Sequence, residues 1–368
     1  MGPRGKVGHD LVLPADALEP VSQKTRSTID DYRRFYTDRR VMITGGLGFI
    51  GSNLARQLVP LGARVLIVDS LIPEYGGNLF NIRGIEDRVR VNIADVRQQS
   101  TMNYLVRDQD VLFNLAGQVS HIDSMQDPYT DLEINCRSQL SILEACRRYN
   151  PTIKVVFAGT RQVYGRPDSL PVSESHLVRP TDVNGINKAA GEYYHLVYNN
   201  VFGVRACSLR LTNVFGPRQL LKHNRQGFIA WFIRQVIEDR EVQVYGDGRQ
   251  IRDFVYVDDA ADAFLRAGAA DEANGQVFNV GGREPISLRD LIQLLIEIAG
   301  SGRYRFVEWP PEKRAIDIGD FTTDTSLIES RLGWTASTSL RDGLTATIAY
   351  YREHLAEYTS LSAPLNTL

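Results

Sequence analysis

The segment Val41-Met-Ile-Thr-Gly-Gly-Leu-Gly-Phe-Ile-Gly51 closes a short apolar run with three glycines at three-residue spacing. A buried strand that turns directly into a helix needs this pattern. Gly45 permits the tight turn, Gly48 lets the backbone approach an anion closely, and Gly51 lets the new helix pack on its strand. Phe49 and Ile50 open the helix, whose free N–H groups and positive dipole end face the same point. The segment is therefore read as a pyrophosphate cradle.

The next apolar run, Arg64-Val-Leu-Ile-Val-Asp69, ends in a carboxylate 18 residues past Gly51, where a ribose-binding acid belongs. Asp69 can accept from both ribose hydroxyls and would repel a 2′-phosphate, and the next basic residue, Arg83, is distant. NAD is expected as cofactor in preference to NADP.

With 368 residues, 43% of them hydrophobic, the chain can bury a full core in one large or two intimately joined domains. A net charge of −2 and the lack of a basic face with interleaved aromatics argue against a nucleic-acid partner. Cys136, Cys146 and Cys207 lack metal-ligand spacing, cannot all pair, and lie in apolar stretches. They read as core thiols of a reducing compartment, and no metal is expected. No apolar run approaches the ~18 residues of a membrane span, and no apolar signal core precedes the first strand. A cytoplasmic protein with no membrane partner is the expectation.

Strands are predicted near 41–44, 64–69, 89–93, 111–116, 154–159 and 205–211, alternating with longer helical segments. That alternation gives an α/β fold, a Rossmann-type doubly wound parallel sheet whose ligands sit at the carboxyl ends of the strands. Residues 1–39 form an N-terminal extension with one short helix near Thr28–Tyr36. Residues 40–212 form the NAD-binding domain, to which a strand and helix near 242–269 and a strand at Val277–Val280 return (segments near 242–282). Residues 213–241 and 283–368 form a smaller, interleaved C-terminal substrate-binding lobe, with helices near 287–299, 325–332 and 339–357. No internal repeat is visible.

Two loops fall at the ligand edge: Asn114-Leu-Ala-Gly-Gln-Val-Ser-His-Ile-Asp123 and Phe157-Ala-Gly-Thr-Arg-Gln-Val-Tyr-Gly165. Asp182-Val-Asn-Gly-Ile-Asn-Lys188 then opens a helix. With the glycine loop, these segments resemble the extended short-chain dehydrogenase/reductase family of nucleotide-sugar epimerases and dehydratases, over roughly residues 41–350. The resemblance implies that Asp95 and Val96 meet the adenine edge, that Ala116 and Gln118 lie in the cofactor loop, and that Asn135 and Lys188 flank the nicotinamide ribose. It also implies a homodimer formed through helices near 129–148 and 186–200.

Family members use a Ser or Thr with a Tyr and a Lys, the last two four apart on one helical face. Thr160 and Lys188 match, but the Tyr position is Asn184, and an amide cannot ionise near neutrality. Three readings follow. Another group supplies the base, with His121, Asp123 and Tyr164 all near the same edge; Lys188 or a water relays the proton while Asn184 orients the hydroxyl; or the protein binds its ligands without catalysis. His121 has an equally good reading as a loop histidine bonded to backbone.

In Ser208-Leu-Arg-Leu-Thr-Asn-Val-Phe-Gly-Pro-Arg218, the resemblance implies that Asn213 and Arg218 contact a nucleotide-diphospho-sugar, and that Arg252 and Arg314 clamp its diphosphate. A guanidinium suits phosphate because its planar fork bonds two oxygens and stays charged. Family dehydratases carry Asp-Glu after the Thr and decarboxylases keep a Glu two residues after it, whereas this chain has Arg161-Gln162. Epimerisation through a transient keto-sugar is the favoured expectation; a dehydratase, a keto-sugar reductase and a non-catalytic nucleotide-sugar-binding protein are the alternatives. Gln226-Gly-Phe-Ile-Ala-Trp-Phe232 with Ala116-Gly-Gln-Val119 resembles the tyvelose 2-epimerase branch, and Ser120-His-Ile-Asp123 resembles dehydratases.

Overall fold

The computed structural model describes residues 32–359. Strands β1 (Arg40–Thr44), β2 (Arg64–Asp69), β3 (Val89–Ile93), β4 (Val111–Asn114), β5 (Lys154–Thr160) and β6 (Arg205–Leu211) follow the predicted runs. β7 (Asn213–Phe215), β8 (Glu241–Tyr245), β9 (Ile251–Arg252) and β10 (Phe254–Tyr256) come next, before β11 (Val277–Val280), β12 (Ile286–Ser287) and β13 (Arg303–Val307). One seven-stranded sheet has the order β11-β6-β5-β4-β1-β2-β3, and every pairing in it is parallel. The order reverses between β1 and β4, so a crevice opens there at the carboxyl ends of the strands.

Alternation along each strand feeds two faces. Val41 and Ile43 of β1, with Val156 of β5, pack against Leu54 and Leu58 of the helix Phe49–Leu58 and against Phe264 of the helix Val257–Ala269. Met42 and Val155 point the other way, onto Ile142, Cys146 and Tyr198. A separate core joins Phe215, Phe232, Ile233, Val236, Leu291, Leu295, Leu344 and Tyr351 of the C-terminal half.

The strand expected near 242 does not return to the main sheet. β8 pairs in parallel with β13, and Val242 and Val244 belong to the C-terminal core; only the helix Val257–Ala269 and β11 return. β4 stops at Asn114, two residues earlier than predicted. Of the helix expected near Thr28–Tyr36, the structure describes Tyr32–Phe35; the rest, and residues 1–31, lie outside the described residues. Cys146 and Cys207 are buried free thiols, but Cys136, on a π-helical turn, is only half-buried. Among the described residues no helix is long and apolar enough to cross a membrane, and no group of three His, Cys, Asp or Glu is placed to hold a metal.

Candidate active site

A cavity of about 820 Å³ runs along the carboxyl ends of the strands from the glycine loop to the C-terminal lobe. At one end lie Gly45, Gly48, Phe49, Ile50 and Gly51. Gly45 takes φ +69°, and a Cβ on Gly51 would stand 2.3 Å from the Gly45 carbonyl oxygen, so both positions require glycine. Gly48 caps the helix Phe49–Leu58 without any side-chain bond, leaving that helix end to an outside anion. Asp69 faces the same space from the end of β2. Its carboxylate accepts from Leu47 N at 3.0 Å and from Leu71 N at 2.8 Å; burial still raises its pKa, the two N–H groups opposing the shift. Asp95 and Val96 line the cavity beside it, with Arg97. Sequence reasoning passed over Arg97. Its guanidinium is committed to Asp95, Nε to both oxygens at 3.0 and 2.9 Å.

The middle of the cavity is lined by Ala116, Gly117, His121, Thr160, Gln162, Asn184 and Lys188. Lys188 Nζ donates to Ala158 O at 2.6 Å and lies 4.5 Å from the Phe157 ring centroid. Burial pulls its pKa down to about 8, against the opposing pull of Asp131 and Glu192. Thr160 Oγ1 accepts from Gln162 N at 3.2 Å. Asn184 is buried with its amide nitrogen engaged. Nδ2 donates to Gln118 O at 2.8 Å and to Asp131 Oδ2 at 3.0 Å.

Asp131 is a buried carboxylate that sequence reasoning did not single out. It also accepts from Asn135 Nδ2 at 3.0 Å and from Asn187 Nδ2 at 2.8 Å. Asn135 and Gln118 are not cavity walls: Asn135 holds the Gln118 backbone through both its N–H and its carbonyl. They fix the loop behind Asn184.

The three groups considered as substitute bases separate clearly. Tyr164 is buried away from the cavity, donating to Asn279 Oδ1 at 2.7 Å and accepting from Arg210; burial pushes its phenol up to about 12. Asp123 pairs with Arg225 at 3.2 Å on the cavity's edge. His121 lines the cavity, with Nδ1 2.8 Å from Asp182 Oδ2, in contact but off the line of a hydrogen bond. Burial raises the Asp182 pKa, but His121, Gly185 N and Gln162 outweigh it and hold the carboxyl below its ordinary range.

The far end carries Asn213, Arg252, Lys313, Asp317, Tyr245, Trp309 and Phe228. Arg252 is buried, donates to Ile251 O and Gly319 O, and meets Asp317 Oδ1 at 3.3 Å. Two expected substrate contacts are elsewhere. Arg314 is exposed on the short helix Pro311–Ile316, and Lys313 lines the cavity instead, because one residue's step turns a helix by about 100°. Arg218, at φ +75°, reaches back to Asn53 Oδ1 at 2.7 Å and to the Tyr350 ring, and Gln219 takes the cavity wall.

Residues 41–281 match the NAD-dependent epimerase/dehydratase family. The chain belongs to that family. It is 31% identical over 317 residues to the UDP-glucose 4-epimerase of Mycolicibacterium smegmatis, a match covering 85% of this chain and 98% of the relative. It is 28% identical over 332 residues to the CDP-paratose 2-epimerase of Salmonella typhi, covering 83% and 97%. The crystal structure of the Thermus thermophilus UDP-glucose 4-epimerase in complex with NAD superposes with a TM-score of 0.77 at 31% identity, covering 85% of this chain and 99% of that one. NAD is the family's cofactor. The glycine cradle and the strand-end Asp69 of this family member fit it: the first admits pyrophosphate where a Cβ would block it, the second offers an acceptor to a ribose.

Proposed function

We propose that this chain is a cytoplasmic NAD-dependent epimerase of a nucleotide-diphospho-sugar. The observation that carries the reading is one continuous cavity. It joins the glycine cradle and Asp69, through Thr160 and Lys188, to Asn213 and Arg252. Gly45, Gly48, Phe49, Ile50 and Gly51 bind pyrophosphate; Asp69 takes the adenosine ribose, with Asp95, Val96 and Ala116 along the same wall. NAD supplies a reversible hydride acceptor. Thr160 holds the reacting hydroxyl, and Lys188 takes its proton. A neutral amine keeps two N–H groups, so Nζ can hold Ala158 O and still present its lone pair. A pKa near 8 makes the neutral form accessible at working pH. Asn184, Asn135 and Gln118 position the wall, and His121 faces the Asp182 carboxylate, which Gly185 N and Gln162 hold. Asn213, Arg252 and Lys313 receive the diphosphate. Buried free thiols fit a reducing compartment.

The reading is tested by incubating the NAD-loaded protein with UDP-glucose and related sugar nucleotides and following epimers by NMR. Interconversion without net NADH release or water loss supports it; steady NADH release or a dehydrated keto-sugar favours the oxidising or dehydrating alternative. One observation favours a non-catalytic binder: an amide that cannot ionise, Asn184, stands where the family has its tyrosine, and its Nδ2 is held by Gln118 O and Asp131. Tight binding of NAD and sugar nucleotide with no exchange would select it.

Asp69 makes NAD bind more tightly than NADP, and calorimetry on stripped protein showing NADP equal or tighter contradicts this. Arg252→Ala weakens sugar-nucleotide binding by about 1.5–3 kcal/mol, the scale of a charge-assisted bond, whereas Arg314→Ala has a much smaller effect. Titration with UDP-glucose separates the two; equal losses would restore Arg314 to the clamp.

A homodimer is also expected. Ile186, Tyr193, Val197 and Val201 expose large apolar side chains along one face of the helix Val183–Phe202, beside exposed Tyr129 and Leu132. Two such faces packed together would bury them. Light scattering is expected to give a dimer at micromolar concentration and a monomer for Tyr193→Asp/Val197→Asp; a wild-type monomer counts against it.

A further inference from the structure

Arg161 is a cavity-lining charge with no role in the reading above. It directly follows Thr160, in the 3-10 turn Arg161–Tyr164. Nη2 donates to Asn213 Oδ1 at 3.1 Å, and the guanidinium carbon lies 5.1 Å from the Phe321 ring centroid. Nη1 is buried and bonded to nothing.

No carboxylate among the described residues forms an ion pair with it, because those nearby are engaged. Asp253 accepts from Thr212 Oγ1 and Thr323 N, Asp317 from Arg252 and Gly319 N, and Asp182 from Gly185 N and Gln162. Burial, and then the like charge of Arg252, bring the Arg161 pKa down to about 9. A guanidinium held under-bonded in a cavity wall is costly unless an anion enters the cavity.

We propose that Arg161 is the receptor for a carboxylate carried by the sugar itself, so that the substrate is a nucleotide-activated acidic sugar such as a uronate. The proposal rests on the nucleotide-sugar reading. Arg161 stands between the two ends: Nη2 is already held by Asn213 of the diphosphate end, while its backbone directly follows Thr160, at the reacting hydroxyl. The sugar is favoured for the unpartnered nitrogen because the diphosphate end has its own cations in Arg252 and Lys313. A guanidinium whose Nη1 is buried without a partner suits one charge-assisted bond to a carboxylate that displaces the side chains packed over that nitrogen.

The test is calorimetric titration of the NAD-loaded full chain with UDP, UDP-glucose and UDP-glucuronate. The wild type is expected to bind UDP-glucuronate roughly 10- to 100-fold more tightly than UDP-glucose, the range of a charge-assisted bond. Arg161→Gln should remove that preference while leaving UDP and UDP-glucose within about threefold. Arg161→Lys keeps the charge and the buried stem, and should retain NAD with a reduced preference. The proposal is overturned if either variant weakens all three ligands alike, which assigns Arg161 to the diphosphate, or if the wild type binds UDP and UDP-glucose but shows no preference for the uronate. A wild type that binds NAD but neither the uridine compounds nor their CDP and dTDP counterparts overturns the nucleotide-sugar reading itself.

Discussion

Lys188→Met is expected to lower epimer exchange by about 10²–10⁴-fold, the range of general base catalysis, and to loosen NAD. The ammonium is buried, its pKa is brought down to about 8, and Nζ lies on the cavity wall beside the strand that ends in Thr160. Only the neutral amine accepts a proton, so exchange should rise with pH and level off above about 8. Asp131 and Glu192 are the carboxylates that stabilise the charged form. Asp131→Asn should therefore move the rising limb to lower pH, a shift that a merely structural aspartate would not produce. Asn184→Tyr should not raise turnover, since the ring would displace the amide from Gln118 and Asp131. Unchanged exchange in Lys188→Met, or a profile flat between pH 6 and 9, would remove Lys188 as the base.

The largest loss of stability is expected from Glu192→Ala. Glu192 and Arg210 are both buried; Arg210 Nη2 lies 2.6 Å from Glu192 Oε1, and Nε reaches both carboxylate oxygens. Ser208 Oγ adds a bond at 2.8 Å, and Arg210 Nη1 donates to Tyr164 at 2.8 Å. Removing the carboxylate leaves the guanidinium buried without its counter-charge, at a cost of about 3–5 kcal/mol. Glu192→Leu/Arg210→Met, which removes both charges, should cost less than the single change. The exposed pair Arg341–Glu297 provides the contrast, and Arg341→Ala should leave the unfolding midpoint in place. Urea unfolding of NAD-saturated protein distinguishes these variants, and a mild Glu192→Ala would show that water reaches Arg210.

The parallel sheet and the cofactor end were legible because their determinants are local. A glycine triplet, a strand-end Asp69 and apolar runs carry their meaning within a few residues. The substrate end was less so. The pairing of β8 with β13 joins residues about sixty positions apart, and nothing within Glu241–Tyr245 announces that partner. Matching Arg314 to a motif fixed its position in the chain but not the side of the helix it occupies, and Lys313 faces the cavity. Asp131 offered one faint signal, its four-residue spacing from Asn135, but its bonds to Asn184 and Asn187 exist only once two helices meet. The unpartnered nitrogen of Arg161 is likewise a property of the packed wall.

The most direct test of the central claim is isotopic. NAD-loaded protein is given, among the UDP-, CDP- and dTDP-sugars, one that it binds, carrying deuterium in turn at each ring carbon that could be inverted, and the product is read by NMR. Transient hydride storage inside one cavity predicts an epimer that keeps its deuterium at the inverted carbon, with no label lost to solvent and no NADH released. Loss of the label to solvent, net oxidation or dehydration, or no epimer with any of the labelled sugars despite bound NAD, would contradict it.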